Sequence, residues 1–368
     1  MAEYDVLEYC LIPPPYGGAT IHVKRLVDKL KDDGMSVGGF YSKITAENKS
    51  LAELPSFYED KYNNTSNKFK RALAHIKRSF KHLSIARRFK VIHYHGLENL
   101  EFIWAVRRLL NKKVVITVHS AMIGSFYNAT SRINRFFLKK LADSDVQWIA
   151  VSPQAKDEME KLPFSFRKEI KIIPAYIPQE NSNSAPLSES MQQYVAGHSK
   201  IITFYAHSFM VHNRTDVYGF EAAMKLFSVL LNEYDENLGM VLCISDISEP
   251  EKISRLHQRA NELGVDNKIY WQEGPIDNMK TLWEHTDVYV RPTSTDGDSV
   301  AVREVLESGG MVVASDVCER PTEAAVYRYG DEKDLIVKVK DALDSPRKEK
   351  VLNWQPYEEV REVIESML

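Results

Sequence analysis

The chain has 368 residues, 44% of them hydrophobic and 27% charged, with 16 glycines and 15 prolines, which excludes a disordered or fibrous class and allows two domains with a core each. A formal charge of −3 argues against a general nucleic-acid binder, because phosphate-backbone affinity rests on basic clusters. Cys10, Cys243 and Cys318 are isolated and fit neither a disulfide framework nor a zinc spacing; with no basic-then-apolar leader and no apolar run of roughly 18–20 residues, the expectation is a cytoplasmic protein.

Strand and helix patterns alternate along the whole chain. The first strand, Tyr4 to Leu11, runs into Pro13-Pro14-Pro15-Tyr16-Gly17-Gly18 and then a helix. A glycine pair there is either a plain turn or a place where a phosphate approaches the free N–H groups of a helix, which makes Gly18 a candidate ligand contact. Lys68 to Lys90 holds nine Lys or Arg and no acid, with Phe69, Leu73, Ile76, Phe80 and Leu83 at helical spacing. This basic amphipathic helix either docks its apolar stripe on the domain or meets anionic lipid headgroups. Arg132, Arg135, Lys139 and Lys140 form a second basic run.

His93 and His95 lie two apart on a strand and so face one side of its sheet. No third metal ligand is evident from the sequence, so the pair reads as structural or as acceptor-site polarity. His119 ends the Val-rich strand Val114 to Val118, a position that is either structural or functional.

Residues 179–200, rich in Ser, Asn and Gln, read as a linker between a domain over 1–178 and a second over 201–350. The second domain shows strands near Ile201, Met240, Lys268 and Val288 separated by helices, so each half is predicted as a parallel Rossmann-like sheet. The last stretch, 351–368, carries an amphipathic helix.

The most informative segment is YVRPTSTDGDSVAVREVLESGGMVVASDVC, residues 289–318: strand, turn with Gly297, a helix apolar on nearly every face, and strand. A carboxylate on such a helix is costly without a partner, so Glu304 requires Arg303, another side chain or ligand hydroxyls. The turn offers free helix N–H groups to phosphate or sugar, or else Asp298 or Ser299 caps the helix and Asp296 complements its dipole.

Asp296 and Glu304, with seven residues between them, together with Gly297, Gly309 and Val312-Val313-Ala314-Ser315, resemble the E-x7-E signature of the retaining GT-B glycosyltransferase family 4. Its usual form is close to S-x-x-E-G-F-G-x-x-x-x-E-A-x-A-x-G-x-P-V-V-A-S; here Asp296 replaces the first Glu and Ser299 the second Gly. The opening P-x-x-G-G-A, the segment around His93 and His95, the strand before His119, and Ile149 to Ser152 with Ile172 to Pro174 are similar to family pieces in the same order.

The resemblance implies an α/β GT-B fold, two Rossmann-like domains facing a cleft with the C-terminal helix crossing back to the first. It implies transfer of a sugar from a nucleotide-diphosphate donor to a glycan or lipid-linked acceptor, with no cofactor and no metal. It further implies that Asp296 faces the donor sugar, that His119 donates a hydrogen bond near the transition state, that Gly297, Asp298 and Ser299 hold sugar and phosphate through backbone N–H groups, and that Glu304 binds ribose. The family's Arg and Lys at the start of the second domain are replaced by His207 and Tyr218. Arg303 and Arg291, and more loosely Arg214, are then the cations expected at the diphosphate. An isomerase of the nucleotide-sugar 2-epimerase type and a catalytically silent partner subunit share the architecture, and the basic segment 68–90 suggests a peripheral position on the inner membrane face.

Overall fold

The computed structural model describes residues 3–13, 17–41, 68–120, 122–178, 186–212, 215–274, 276 and 279–368, without the side chains of 41, 68–76 and 212. The chain forms two compact units, Met1–Ile177 with Trp354–Leu368, and Pro178–Asn353.

In the first unit β1 (Tyr4–Ile12), β2 (Val37–Tyr41), β3 (Phe89–His95), β4 (Lys113–Val118), β5 (Gln147–Ala150) and β6 (Lys171–Ile172) make one parallel sheet in the order β2-β1-β3-β4-β5-β6. Alternation along each strand sends side chains to opposite faces. Leu7, Ile92, Val114, Ile116 and Trp148 pack under α2 (Lys68–Ala86), α3 (Leu100–Leu109), α4 (Ile123–Ala129), α5 (Arg132–Ala142) and α6 (Pro153–Glu160). Val6, Val91, Val115 and Ile149 take the other face, beneath α1 (Gly18–Asp32) and α13 (Gln355–Glu365).

The expected return of the C-terminal helix is therefore present. Tyr357, Val360, Val363 and Ile364 are buried in that second layer, each contributing about 1.5–3 kcal/mol if fully removed from water. The Tyr357 hydroxyl donates to Asp33 Oδ2 at 2.6 Å and Arg361 reaches the same oxygen at 3.2 Å, which pins the helix to the end of α1.

The two basic helices lie in the same layer, α2 and α5 both packing against α3. Of the stripe expected on α2, Leu83 packs against the core and Phe80 does not. Phe80 is 69% exposed, and the inward positions are His82, whose Nδ1 meets the Tyr9 hydroxyl at 2.5 Å, and Ala86, with Leu83 and Ile85 half-buried. Phe69, Leu73 and Ile76 have side chains outside the described residues. On α5, Ile133 is 67% and Phe136 53% exposed among Arg132, Lys139 and Lys140.

The second unit contains α7 (Glu189–Ala196), β7 (Lys200–Ala206), β8 (Val211–His212), β9 (Thr215–Asp216), α8 (Phe220–Glu233), β10 (Leu238–Ile244), α9 (Pro250–Glu262), β11 (Ile269–Glu273), α10 (Met279–Glu284), β12 (Val288–Arg291), α11 (Val300–Glu307), β13 (Met311–Ser315), β14 (Ala325–Tyr327) and α12 (Glu332–Asp344). Its parallel sheet runs β11-β10-β7-β12-β13-β14, and β8 and β9 form a small antiparallel ribbon. Every residue of β10 is buried, the mark of a strand covered on both faces. One cover is α8, α9 and α12; the other is α7, α10 and α11.

The α7 cover corrects the reading of 179–200 as linker. Leu187 and Met191 are buried in the second core, so the residues from 187 on belong to that unit, while 179–185 fall outside the described residues. Helix α10 is described from Met279, Asn278 falling outside.

Gly309, just past α11, has φ +80°, and a Cβ there would sit 2.2 Å from the Lys348 carbonyl oxygen, while Lys348 N donates to Gly309 O at 2.9 Å and holds the two segments together. Left-handed backbone in a residue other than glycine costs about 1–3 kcal/mol, and the backbone collision adds to it. Gly309→Ala is expected to lower the thermal unfolding midpoint of the second unit by several degrees; an unchanged melt followed by tryptophan fluorescence would show the contact to be slack.

Candidate functional site

Counted within the second unit, the strand order is 3-2-1-4-5-6, and it reverses between β7 and β12. Open α/β sheets bind ligands outside the C-terminal strand ends at such a reversal. Arg291, the last residue of β12, is buried there. Its Nη1 lies 3.4 Å from the Tyr205 carbonyl on β7, and its guanidinium stacks 5.3 Å from the Tyr218 ring.

The chief partner of Arg291 is Asp296, with Nε 3.0 Å from Oδ2 and Nη2 3.3 Å from Oδ1. A second arginine closes the carboxylate from the other side. Arg320, in the loop after β13, places Nη1 2.8 Å from Asp296 Oδ2 and Nε 3.0 Å from the Ser315 carbonyl, with only 1% of its side chain exposed. Burial pushes the Asp296 pKa up, but the two guanidiniums outweigh it and hold the carboxyl at about 2. Burial likewise works against the charge on Arg291, and Asp296 reverses that effect and raises its pKa. Asp296 thus orders two arginines, whereas the resemblance implied that it faces a sugar. Sequence reasoning missed Arg320; the available signal was that a buried acid at one strand end needs a cation from a neighbouring strand end.

The turn is held by its own residues. Gly297 N donates to Asp296 Oδ1 at 3.1 Å, and Ser299, the N-cap of α11, accepts from Val302 N at 3.4 Å. The partner of Arg303 is neither Glu304 nor Glu307 but Asp298, whose oxygens lie 2.9 and 3.1 Å from Arg303 Nε. Burial raises the pKa of Asp298, with Arg303 acting in the opposite sense. Glu304 is half-buried and accepts from Trp283 Nε1 of α10 at 2.9 Å. Asp296 and Asp298 are therefore paired with the three arginines 291, 303 and 320, while Glu304 is held by the Trp283 indole.

Near the start of α8, His207 and Tyr218 stand where the resemblance expects an Arg and a Lys. Asp216 Oδ1 and Oδ2 accept from Tyr218 N at 3.0 Å and Phe220 N at 2.6 Å and so occupy the helix N-terminus. Gly219 has φ +83°, and a Cβ there would lie 2.3 Å from the Pro292 carbonyl oxygen, which brings α8 against the end of β12. His207 Nδ1 is buried and has no hydrogen-bond partner among the described residues. Arg214 lies outside them.

In the first unit Gly18 is the first residue of α1, after the N-cap Gly17, whose N–H donates to Thr20 Oγ1 at 2.9 Å. His119 follows β4, its Nε2 3.0 Å from His95 Nδ1 and its ring 5.5 Å from that of His22. Burial, then the nearby His93, lowers the His119 pKa to about 3, and burial also drives His95 and His22 well below the usual histidine range. These rings are neutral at neutral pH. The nitrogen of His119 that carries the proton is therefore set by His95.

Residues 16–180 match the protein-family profile described as Glycosyltransferase Family 4. No curated protein matches the sequence significantly. Among solved structures, HepE of Anabaena in complex with UDP and glucose is 15% identical with a TM-score of 0.68, covering 99% of this chain and 100% of its own. A sucrose-phosphate synthase from Thermosynechococcus elongatus is 15% identical at TM-score 0.69, with 98% of each chain covered. WaaG, a glycosyltransferase involved in lipopolysaccharide biosynthesis, is 14% identical at TM-score 0.63, covering 98% of this chain and 95% of its own. The shared fold is GT-B.

A depressed acid pKa is a stability statement. The folded value of about 2 lies below the unfolded value near 4, so the Asp296 contribution is complete above roughly pH 4 and is lost as pH falls towards 2. Asp296→Asn is expected to be less stable than the native chain at neutral pH, with about 2 kcal/mol of that gap closing between pH 4 and 2. A gap independent of pH in urea titrations would overturn the ion-triad account.

Proposed function

We propose that this GT-B chain, whose residues 16–180 carry the Glycosyltransferase Family 4 match, transfers a sugar with retention from a nucleotide-diphosphate donor on the second unit to a glycan or lipid-linked acceptor bound by the first. The observation that carries the reading is Glu304, a half-buried carboxylate oriented by Trp283 beside the arginine-bracketed turn at the sheet's C-terminal edge. Such an acid accepts from the two hydroxyls of a ribose. UDP in the Anabaena structure supports a nucleotide donor.

Of the three arginines Arg303 is the most available to a diphosphate, with 22% of its side chain exposed against 11% for Arg291 and 1% for Arg320. Its partner Asp298 has a raised pKa and so gives up its charge more readily than Asp296. In this reading the leaving diphosphate takes the place of Asp298 at Arg303, and fixed cations and helix N–H groups stabilise it without a metal at the donor site. The pairing of all three arginines with Asp296 and Asp298, with His207 and Tyr218 in place of the usual cations, favours a second reading: a silent partner subunit that keeps the fold and turns over no donor.

Calorimetry with a panel of nucleotide sugars and their free nucleotides separates the two. Glu304→Ala is expected to weaken nucleotide binding by roughly 10- to 150-fold, the value of a charge-assisted hydrogen bond of about 1.5–3 kcal/mol. Arg303→Ala is expected to cost more affinity for nucleoside diphosphate than for nucleoside. Absence of nucleotide binding and of donor hydrolysis in the native chain would favour the silent subunit.

Among the described residues no helix is long and apolar enough to cross a membrane. Exposed Phe80, Ile133 and Phe136 among the Lys and Arg of α2 and α5, in one layer, support peripheral attachment to anionic lipid on the inner membrane face. Co-sedimentation with vesicles is expected to require anionic lipid and to weaken as salt shortens the Debye length below about 8–10 Å. Converting Lys77, Arg78 and Lys81 to Glu is expected to abolish it while leaving donor hydrolysis intact; equal binding to neutral vesicles would refute this attachment.

A further inference from the structure

The first sheet also reverses its order, between β1 and β3, because β2 lies outside β1. On the face under α1 the strands carry Val6, Val91 and Val115, and two residues further on come Glu8, His93 and Thr117, with His95 beyond His93. Glu8 lies opposite His93 and His95 opposite Thr117 in the strand register. An apolar floor thus ends in a polar cluster at the C-terminal edge, where such sheets hold ligands.

Glu8 and His93 have no exposed surface, and His95 is 9% exposed. Glu8 Oε2 lies 2.9 Å from His93 Nδ1 and 2.7 Å from His95 Nε2. Although His93 Nδ1 is so close to the carboxylate, it makes no aligned hydrogen bond, and Glu8 Oε1 has none either. His22 Nδ1, on the helix that covers the cluster, is a third buried polar atom with no partner among the described residues. Buried polar atoms are almost always satisfied, and a buried carboxylate without full pairing costs several kcal/mol.

We infer that Glu8, His93 and His95 form a binding site for a divalent transition-metal ion of the zinc type, through Glu8 Oε2, His93 Nδ1 and His95 Nε2. The three ligand atoms lie within 4.8 Å of one another. Ligands on a tetrahedral ion with bonds of about 2.0–2.1 Å stand about 3.3–3.4 Å apart, so the two short contacts need open by only about half an ångström each. Two imidazoles and one carboxylate suit zinc, cobalt or nickel, whereas calcium and magnesium prefer oxygen.

The outer contacts have the form that metal sites require. Histidine ligands engage their second nitrogen with a fixed partner, and here His93 Nε2 is 2.8 Å from Thr117 Oγ1 and His95 Nδ1 3.0 Å from His119 Nε2. This has a consequence for His119. With an ion on His95 Nε2, the proton of neutral His95 lies on Nδ1 and is donated to His119 Nε2, so His119 carries its own proton on Nδ1. With a hydrogen bond from His95 Nε2 to Glu8 and no ion, the order inverts and His119 is protonated on Nε2.

The test uses the full chain without an affinity tag, stripped with a chelator and titrated with Zn2+ against a chromophoric competitor, and with Co2+ for its visible spectrum. One ion per chain is expected, with intense Co2+ bands and a Zn2+-dependent rise in the unfolding midpoint. Glu8→Gln and His93→Gln are each expected to weaken binding at least about 100-fold, and Thr117→Val, which keeps all three ligands, about 10-fold. Nitrogen-15 NMR should show the His119 proton moving from Nε2 to Nδ1 on Zn2+ addition. The surface residue His257, held between Asp266 at 2.7 Å and Glu273 at 2.8 Å, is the control. No tight ion in the native chain, or binding that survives Glu8→Gln and disappears with His257→Ala, would overturn the site. The native titration decides the matter even if a ligand variant fails to fold.

Discussion

The carboxylate of Asp296, enclosed by Arg291 and Arg320, is the interaction on which the second unit's site depends. Three strand ends meet there, and each brings backbone groups that its sheet no longer pairs. Arg291 reaches the Tyr205 carbonyl of β7, Arg320 reaches the Ser315 carbonyl of β13, and Asp296 joins the two guanidiniums. Removing one member of such a buried set leaves an uncompensated charge, at about 3–5 kcal/mol. The position of the turn at 295–299, and with it the start of α11 and the placement of Glu304 against Trp283, follows from that pairing.

Both units place their charged residues by one topological rule. A parallel strand covered on two faces has no room for a charge along its length, as the fully buried β10 illustrates, so ionisable side chains collect at the C-terminal edge where the order reverses. In the second unit the result is an arginine-rich cluster. In the first it is Glu8 and His93 with His22, His95 and His119, and burial keeps these last three imidazoles neutral. The chemistry of the edges differs, although the sheets that present them are alike.

The outer layer of the first unit follows a different logic. Helices α2, α3 and α5 cover the sheet with their inward residues, yet α2 and α5 leave Phe80, Ile133 and Phe136 in solvent. Isolated exposed apolar residues are ordinary; here they alternate with Lys and Arg on two helices of one layer. The polar His82 occupies the inward position on α2, where the Tyr9 hydroxyl supplies its hydrogen bond. Helical periodicity alone gives no sign of an inward His82, because a histidine with a buried partner reads as polar.

The alternation of strands and helices, the C-terminal amphipathic helix and the strand-turn-helix-strand block at 289–318 were legible from the sequence, because hydrophobic period and glycine placement are local properties. So was the need of Asp296 and Glu304 for partners. The identity of those partners was not. Arg320 lies 24 residues beyond Asp296 and Trp283 lies 21 before Glu304, and only sheet order brings them together. The same holds for Glu8, which the parallel register of β1 and β3 sets beside His93, 85 residues away, and thereby supplies the third ligand that a reading of His93 and His95 by themselves lacked. Sequence spacing fixes which side chains share a face of one element; which faces meet is decided by the topology of the whole sheet.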